Sequence, residues 1–296
     1  MDDQVGIVVN YYRRNNHPLL IRDFTLLALR FLRQDNVENS IVLVDGSPES
    51  DGDLCSACES LRVNYLHTGK ELTFAEGFNV GWQYLRETYV CLMANDILVP
   101  VGTVKTLQKY LRISDVGCVF PYLSYCDYPG QTYSFVRKPI TCEPSAMTLN
   151  LNIFKRSVLE KAIGIDESFS GCYNDIILLK KIRSLGYRVV LVGSTNVFHM
   201  GQMTISNGST YAKEKDTKKF SQEYRSFYTP HGIWGVTHWK WPLATTQIAS
   251  LLWRLSENAF SYRLRRWSHH LIMRYEPELT KFPAKNGRAK RAMSDE

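Results

Sequence analysis

Three short apolar runs constrain the fold of this chain more than any other feature: Val5–Asn10 (VGIVVN), Ile41–Asp45 (IVLVD) and Tyr89–Ala94 (YVCLMA). Each is apolar on both faces of an extended backbone, the signature of strands covered by helices on both sides, as in parallel sheets. The stretches between them read as the covering helices: Pro18–Arg33, with Leu20, Phe24, Leu27 and Phe31 on its inner face, then Asp53–Leu61, Gly77–Glu87 and Val101–Leu111. A further short strand is expected at Arg62–His67, after the turn Asp45-Gly46-Ser47-Pro48. The alternation predicts an open α/β fold with a largely parallel sheet.

In such sheets ligands bind beyond the carboxyl ends of the strands. That rule singles out Asn10, Asp45, Asn95 and Asp96. Carboxylates and amides converging there suit a nucleotide and a divalent cation, while an Asp that closes a strand also serves to cap the next helix. The residues alone leave both uses of Asp45 open.

Charge divides the chain in two. Residues 230–296 carry 11 Lys+Arg against 5 Asp+Glu, so nearly all of the net charge of +7 sits in that tail. Five of the six tryptophans lie there too (Trp234, Trp239, Trp241, Trp253 and Trp267), which marks a module boundary near Pro230. Residues 247–275 carry Ile248, Leu251, Leu252, Leu255, Ala259, Tyr262 and Leu271 at helical spacing, and Arg with aromatics on an amphipathic helix suits an anionic lipid surface. The same stripe could pack on the main domain, and Arg with aromatics also serves nucleic acid.

No stretch reaches the roughly 18 apolar residues of a membrane span, and the acidic start MDDQVGIVVNYYRR is unlike a basic leader. Seven scattered cysteines argue against a disulfide framework. These features lead to the expectation of a cytoplasmic protein. Cys55 and Cys58 form one C-x-x-C, but no second pair follows to complete a zinc site.

Five ordered segments, VVNYYRR, VLVDGSPES, TFAEGFNVGW, MANDI and GIDESFSGCYNDIILLKKIRSLGYRVV…VFHMG, resemble the inverting family 2 glycosyltransferases of GT-A fold. The likeness is to the rhamnosyl- and galactofuranosyltransferase-like members that build bacterial surface polysaccharides. The resemblance, carried by segments between residues 5 and 205, implies a GT-A domain, expected over residues 1–229, and the composition shift sets off a basic helical extension over 230–296. It implies a nucleotide pocket formed by Asn10, Tyr11, Arg13, Asp45, Gly77, Asn79 and Asn95, with Asp45 accepting from the imide N–H of uracil or thymine. Asp96 matches the last acid of the family's metal motif, with Ala94 in place of its first, and His199 matches the late histidine. A divalent cation, Mn2+ or Mg2+, is therefore expected between Asp96, His199 and the donor diphosphate.

Asp175 matches the family's general base, with Asn174 where Glu is usual, and Arg183 matches a frequent family arginine. Lys180 and Lys181 read as a solvated face. The expected partners are a UDP- or dTDP-sugar, a glycan or lipid-linked acceptor and the inner membrane face through residues 230–296. Two alternatives remain open: transfer of sugar to modified DNA bases, with the basic tail on the duplex, and a non-catalytic nucleotide-sugar-binding scaffold, prompted by Ala94 and Asn174.

Overall fold

A computed structural model describes residues 4–13, 18–35, 38–124, 131–132, 141–144, 147–200, 215–216 and 218–220. The chain divides into two units, Met1–Asp216 and Thr217–Glu296. Nearly all described residues belong to the first. The boundary expected near Pro230 and the amphipathic pattern of residues 247–275 lie outside them.

The elements run β1 (Val5–Tyr11), α1 (Pro18–Asp35), β2 (Ile41–Asp45), α2 (Gly52–Ser60), β3 (Asn64–His67), α3 (Phe74–Tyr84), β4 (Tyr89–Ala94) and β5 (Ile97–Leu98). There follow α4 (Thr103–Leu111), β6 (Val116–Leu123), β7 (Leu151–Lys155), α5 (Arg156–Lys161), α6 (Asn174–Ser184) and β8 (Arg188–His199). Eight strands form one sheet in the order β3-β2-β1-β4-β7-β6-β8-β5. β1 pairs in parallel with β2 and β4, β2 with β3, and β6 with β8. β7 runs antiparallel between β4 and β6, which keeps β6 parallel to β4, and β5 is antiparallel to β8. The strands β1, β2, β3, β4, β6 and β8 therefore end at one edge, as the apolar runs predict.

Alternate strand residues feed two cores. Ile7, Val9, Leu43, Cys91 and Met93 pack with α1 and α4 residues such as Leu29, Leu32 and Leu107. Val8, Val42, Val44 and Leu92 pack with Phe78, Trp82, Phe154, Leu178 and Ile182. Covering both faces is why the strands are apolar throughout.

Two helices differ from the sequence expectation. The inner face of α1 is Ile21, Phe24, Thr25, Ala28, Leu29 and Leu32, whereas Leu20, Leu27 and Phe31 are exposed. Two apolar stripes overlap on this helix, and periodicity alone does not say which one the sheet covers. α3 begins three residues earlier than expected, because Thr73 and Glu76 form a capping box in which each side chain accepts from the other's backbone N–H. Those bonds hold the Glu76 carboxyl below its ordinary range.

α3 lies flush on the sheet because it presents glycine there. A Cβ on Gly81 would collide with the Val8 side chain and stand 2.9 Å from Val44 Cγ2, and one on Gly77 would collide with Asn10 Oδ1. No helix among the described residues is long and apolar enough to cross a membrane. Gly81→Ala should overpack this contact and lower the unfolding free energy by about 2 kcal/mol, read as a lower urea midpoint at unchanged m value.

Candidate active site

The carboxyl edge of the sheet carries Tyr11, Asp45, His67, Ala94, Leu123 and His199 as strand-terminal residues. Its first feature is a hydrogen-bonded scaffold around Asp45, which is fully buried. Asp45 Oδ1 accepts from Ser47 N (2.9 Å), and Oδ2 accepts from the Tyr65 hydroxyl (2.5 Å) and from Asp51 N (3.3 Å). Asp51 in turn caps α2 through Leu54 N (3.1 Å) and accepts from the Tyr11 hydroxyl (3.4 Å). Burial first, then the neighbouring carboxylates, push the Tyr11 phenol well above its ordinary pKa. Burial, then its bond to Asp45, does the same to Tyr65. Both phenols therefore stay protonated as donors.

His67 continues this scaffold. Its Nδ1 accepts from Gly69 N (3.3 Å), which leaves Nε2 to donate to Ser47 O (2.9 Å). Arg13 joins through its backbone N–H to Ser47 Oγ (2.8 Å), and its guanidinium lies 3.6 Å from exposed Glu49. The expectation that Asp45 reads a base thus meets a carboxylate with three protein donors and no exposed surface. Its visible role is to shape the 46–51 loop.

Asn79 is committed in the same way. Nδ2 donates to Ile165 O and Glu167 Oε1 (2.8 Å each), and Oδ1 accepts from Ile165 N and Trp82 Nε1 (3.0 Å each). An amide has two donors and two acceptor positions, so all four are filled. Gly164, at φ +62, lets this loop come close, since a Cβ there would stand 2.6 Å from Asn79 Oδ1. Asn95 likewise turns inward, donating to Thr25 Oγ1 on α1 (3.0 Å). Asn10 sits half-buried at the end of β1, with Nδ2 on Phe74 O (3.0 Å) and Gly77 directly above it.

Asp96 and His199 do come together. Residues Asn95 and Asp96 link β4 to β5, and Ile97 pairs with His199 in the two-residue ladder. Met200 N donates to Asp96 O (3.0 Å), and Ser124 Oγ bridges the backbone N–H and C=O of His199 (2.9 and 3.2 Å). His199 Nε2 then faces Asp96 Oδ2 at 3.4 Å, both side chains less than a tenth exposed. A carboxylate oxygen and an imidazole nitrogen beside phosphate oxygens suit Mn2+ better than Mg2+, which takes oxygen donors. Among the described residues no third His, Cys, Asp or Glu joins them, so a cation here would take its other ligands from donor phosphates and water.

Asp175 stands half-buried in the first turn of α6, its Oδ1 accepting from Ile176 N (2.8 Å). α6 contacts β8, to which residues 185–187 join it. Lys180 is buried, 4% exposed, contrary to the solvated face expected of it; Arg183 donates to Pro144 O. Cys58 is buried on α2 and its thiol is pushed up to about 12, chiefly by burial, so this half of the C-x-x-C holds an inert thiol.

Three residues, Tyr65, Asp216 and Asp51, escape the sequence reading. Tyr65 stands in a strand with nothing local to mark it. Asp216 binds the backbone N–H groups of residues 170–172, more than forty positions earlier in the chain. Asp51, by contrast, had a legible signal as an N-cap residue directly ahead of an apolar helical stretch.

No protein-family model and no curated protein matches this chain. Solved structures do. Mannosyltransferase PcManGT from Pyrobaculum calidifontis, in complex with GDP-Man and Mn2+, superposes with a TM-score of 0.57 at 15% identity, over 94% of this chain and 87% of that one. GalNAc-T7 with UDP, GalNAc and Mn2+ gives 0.59 at 12%, over 93% of this chain and 56% of that one. TarS from S. aureus gives 0.52 at 9%, over 94% and 54%. The chain thus spans little more than half the length of the latter two. At these identities the likeness is one of fold, and the fold is that of GT-A glycosyltransferases.

Asn79→Ala would leave the Ile165 backbone, Trp82 Nε1 and Glu167 without their partner. It should cost about 3 kcal/mol, measured by chemical denaturation.

Proposed function

We propose that this chain is an inverting, divalent-cation-dependent glycosyltransferase that moves a sugar from a UDP- or dTDP-sugar to a glycan or lipid-linked acceptor in surface polysaccharide synthesis. The observation that carries the reading is the buried Asp96–His199 pair at the carboxyl edge of a GT-A sheet. The resemblance to rhamnosyl- and galactofuranosyltransferase-like enzymes supplies the finer part, and the neighbours solved with GDP-Man or UDP and with Mn2+ support the coarser one.

In this reading Asn10, Arg13 and the backbone at Gly77 line the nucleotide, while Tyr11, Asp45, Asn79 and Asn95 shape the walls behind it. Asp45 was the reason to favour a pyrimidine. With its oxygens engaged by protein donors, GDP-sugars become the rival donor to be tested beside UDP and dTDP.

Asp96 and His199 would hold the cation, which when bound offsets the charge gathering on the departing nucleoside diphosphate. Asp175 accepts the proton of the acceptor hydroxyl as that oxygen bonds to the anomeric carbon from the face opposite the leaving group. The bond from the anomeric carbon to the diphosphate breaks, and the proton passes from Asp175 to solvent. Its place in the first turn of α6 favours the ionised form it needs before the reaction. The basic segment 230–296 is proposed to dock at the inner membrane face.

A thermal-shift panel of UDP, dTDP and GDP with their sugar conjugates, with and without Mn2+, tests the donor site. A Mn2+-dependent rise that disappears in Asp96→Ala is the expected result. Absence of any shift in the wild-type chain would favour the non-catalytic scaffold. Asp175→Asn should lose transfer by about 100-fold or more while keeping the nucleotide shift, and wild-type turnover in that variant would remove the base. Replacing Arg263, Arg265 and Arg266 together by Ala should reduce pelleting of the full chain with anionic liposomes. Unchanged pelleting would sink the proposed lipid contact of this arginine cluster.

A further inference from the structure

We propose that Asp216 is a positioning residue for Asp175, gripping the backbone turn that leads into the proton-accepting side chain. The inference rests on the base assignment above and adds to it a residue 41 positions further along the chain.

Asp216 is 1% exposed, and its carboxylate accepts from three consecutive backbone N–H groups. Ser170 N donates to Oδ1, and Gly171 N and Cys172 N donate to Oδ2, each at 3.0 Å. These amides lie in the irregular approach to α6, outside helix and strand. Bonds from N–H groups to an ionised carboxylate are stronger than neutral ones, and three on one buried side chain fix a turn in a way a single bond does not. With both oxygens so engaged, Asp216 is poorly placed to accept a substrate proton itself.

The turn it holds has a conformation of its own to defend. Tyr173, between the gripped amides and α6, has φ +69, a left-handed conformation unfavourable for a residue with a side chain. Phe169 is fully buried on one side of the turn, and Asn174 Nδ2 donates to Phe169 O (3.3 Å) across it. The first turn of α6 then starts at Asn174, and Ile177 N donates to Tyr173 O (3.0 Å). Asp175 therefore takes its direction from a strained residue clamped between the Asp216 grip and the helix. Without the carboxylate, three amides need new partners, Tyr173 is free to relax, and the first turn of α6 rotates.

The test compares full-length wild type, Asp216→Asn, Asp175→Asn and the double variant. Asn at 216 keeps the size but turns an NH2 group toward N–H donors. Hydrogen exchange should show residues 170–172 protected in the wild type and exchanging about tenfold faster in Asp216→Asn, with β4 (Tyr89–Ala94) unchanged. Wild-type amides that exchange at the rate of an unstructured peptide would overturn the grip, as would equal loss of protection in β4.

Hydrolysis of UDP-galactose, dTDP-rhamnose and GDP-mannose with Mn2+ gives the functional readout. In Asp216→Asn, kcat should fall about 10- to 100-fold with donor KM within about twofold. In the Asp175→Asn background the same substitution should cause no further loss. Unchanged kcat, or losses that simply add, would make Asp216 a structural residue and overturn the proposal. Wild-type rates in Asp175→Asn, or no turnover of any donor by the wild-type chain, would count against the base assignment and overturn the positioning role with it, whatever exchange says about the turn.

Discussion

Two residues, Asn95 and Asp96, separate the end of β4 from the start of β5, yet three other strands stand between β4 and β5 in the sheet. The three peptide units from Ala94 to Ile97 reach about 11 Å at most. Four strand spacings in a flat sheet need about 19 Å. The sheet must therefore curl until the far end of β8 returns to β4. The register between β6 and β8 shows where it does so: Pro121 pairs with Val192 but Tyr122 pairs with Asn196, an irregularity that bends β8 midway. Met200 N on Asp96 O and the Ile97–His199 pairing close the circuit. The proximity of Asp96 to His199 follows from this short connection and from no property of either side chain.

The same edge sorts its polar residues by a simple rule. A buried polar group needs its hydrogen bonds made, and one whose capacity is met by the protein has little left for a ligand. Asp45 and Asn79 fall on that side of the rule, and Asn95 turns one amide donor to Thr25. They tie the 46–51 loop to β2, the 164–167 loop to α3 and α1 to the β4–β5 connection. Burial raises the phenol pKa values of Tyr11 and Tyr65, which stay protonated donors to the carboxylates of this scaffold. Asp96 and His199 turn a carboxylate oxygen and an imidazole nitrogen to one another, and Asp175 accepts from the Ile176 N–H in the first turn of α6.

How much of this was legible in the sequence depended on the range of the interaction. The β1, β2 and β4 strands and helices α2 and α4 were readable because each is set by a local apolar pattern. The start of α3 was one step further away, written in the Thr73/Glu76 box. The inner face of α1 was misread since Leu20, Leu27 and Phe31 repeat as regularly as Ile21, Ala28 and Leu32, and only the sheet chooses between them. β6 and β7 went unassigned in a stretch whose pairing is settled by distant strands. In the site, motif order pointed to Asp96 and His199, which the fold brings within 3.4 Å, and to Asp175, which stands in the first turn of α6. It also selected Asn79 and Asp45, since an ordered motif marks residues the fold needs as readily as residues a ligand needs. Asp216 had no signal at all, because its three partners lie more than forty positions away.

Asn174 shows the same distinction within a single dipeptide. The resemblance leads one to expect an acid there, beside Asp175. The residue is 2% exposed, and the group across the turn from it is the Phe169 carbonyl, a hydrogen-bond acceptor. An ionised carboxylate would meet that carbonyl with repulsion and would lack donors for a buried charge. An amide supplies the donor and stays neutral, even though its Oδ1 is left buried without a partner among the described residues. The turn therefore explains why this position holds an amide, and it leaves Asp175 as the one carboxylate of the first turn of α6. In the proposed reaction, proton transfer depends on this one acid held in one direction, which places the burden of the chemistry on whatever fixes the backbone just before it.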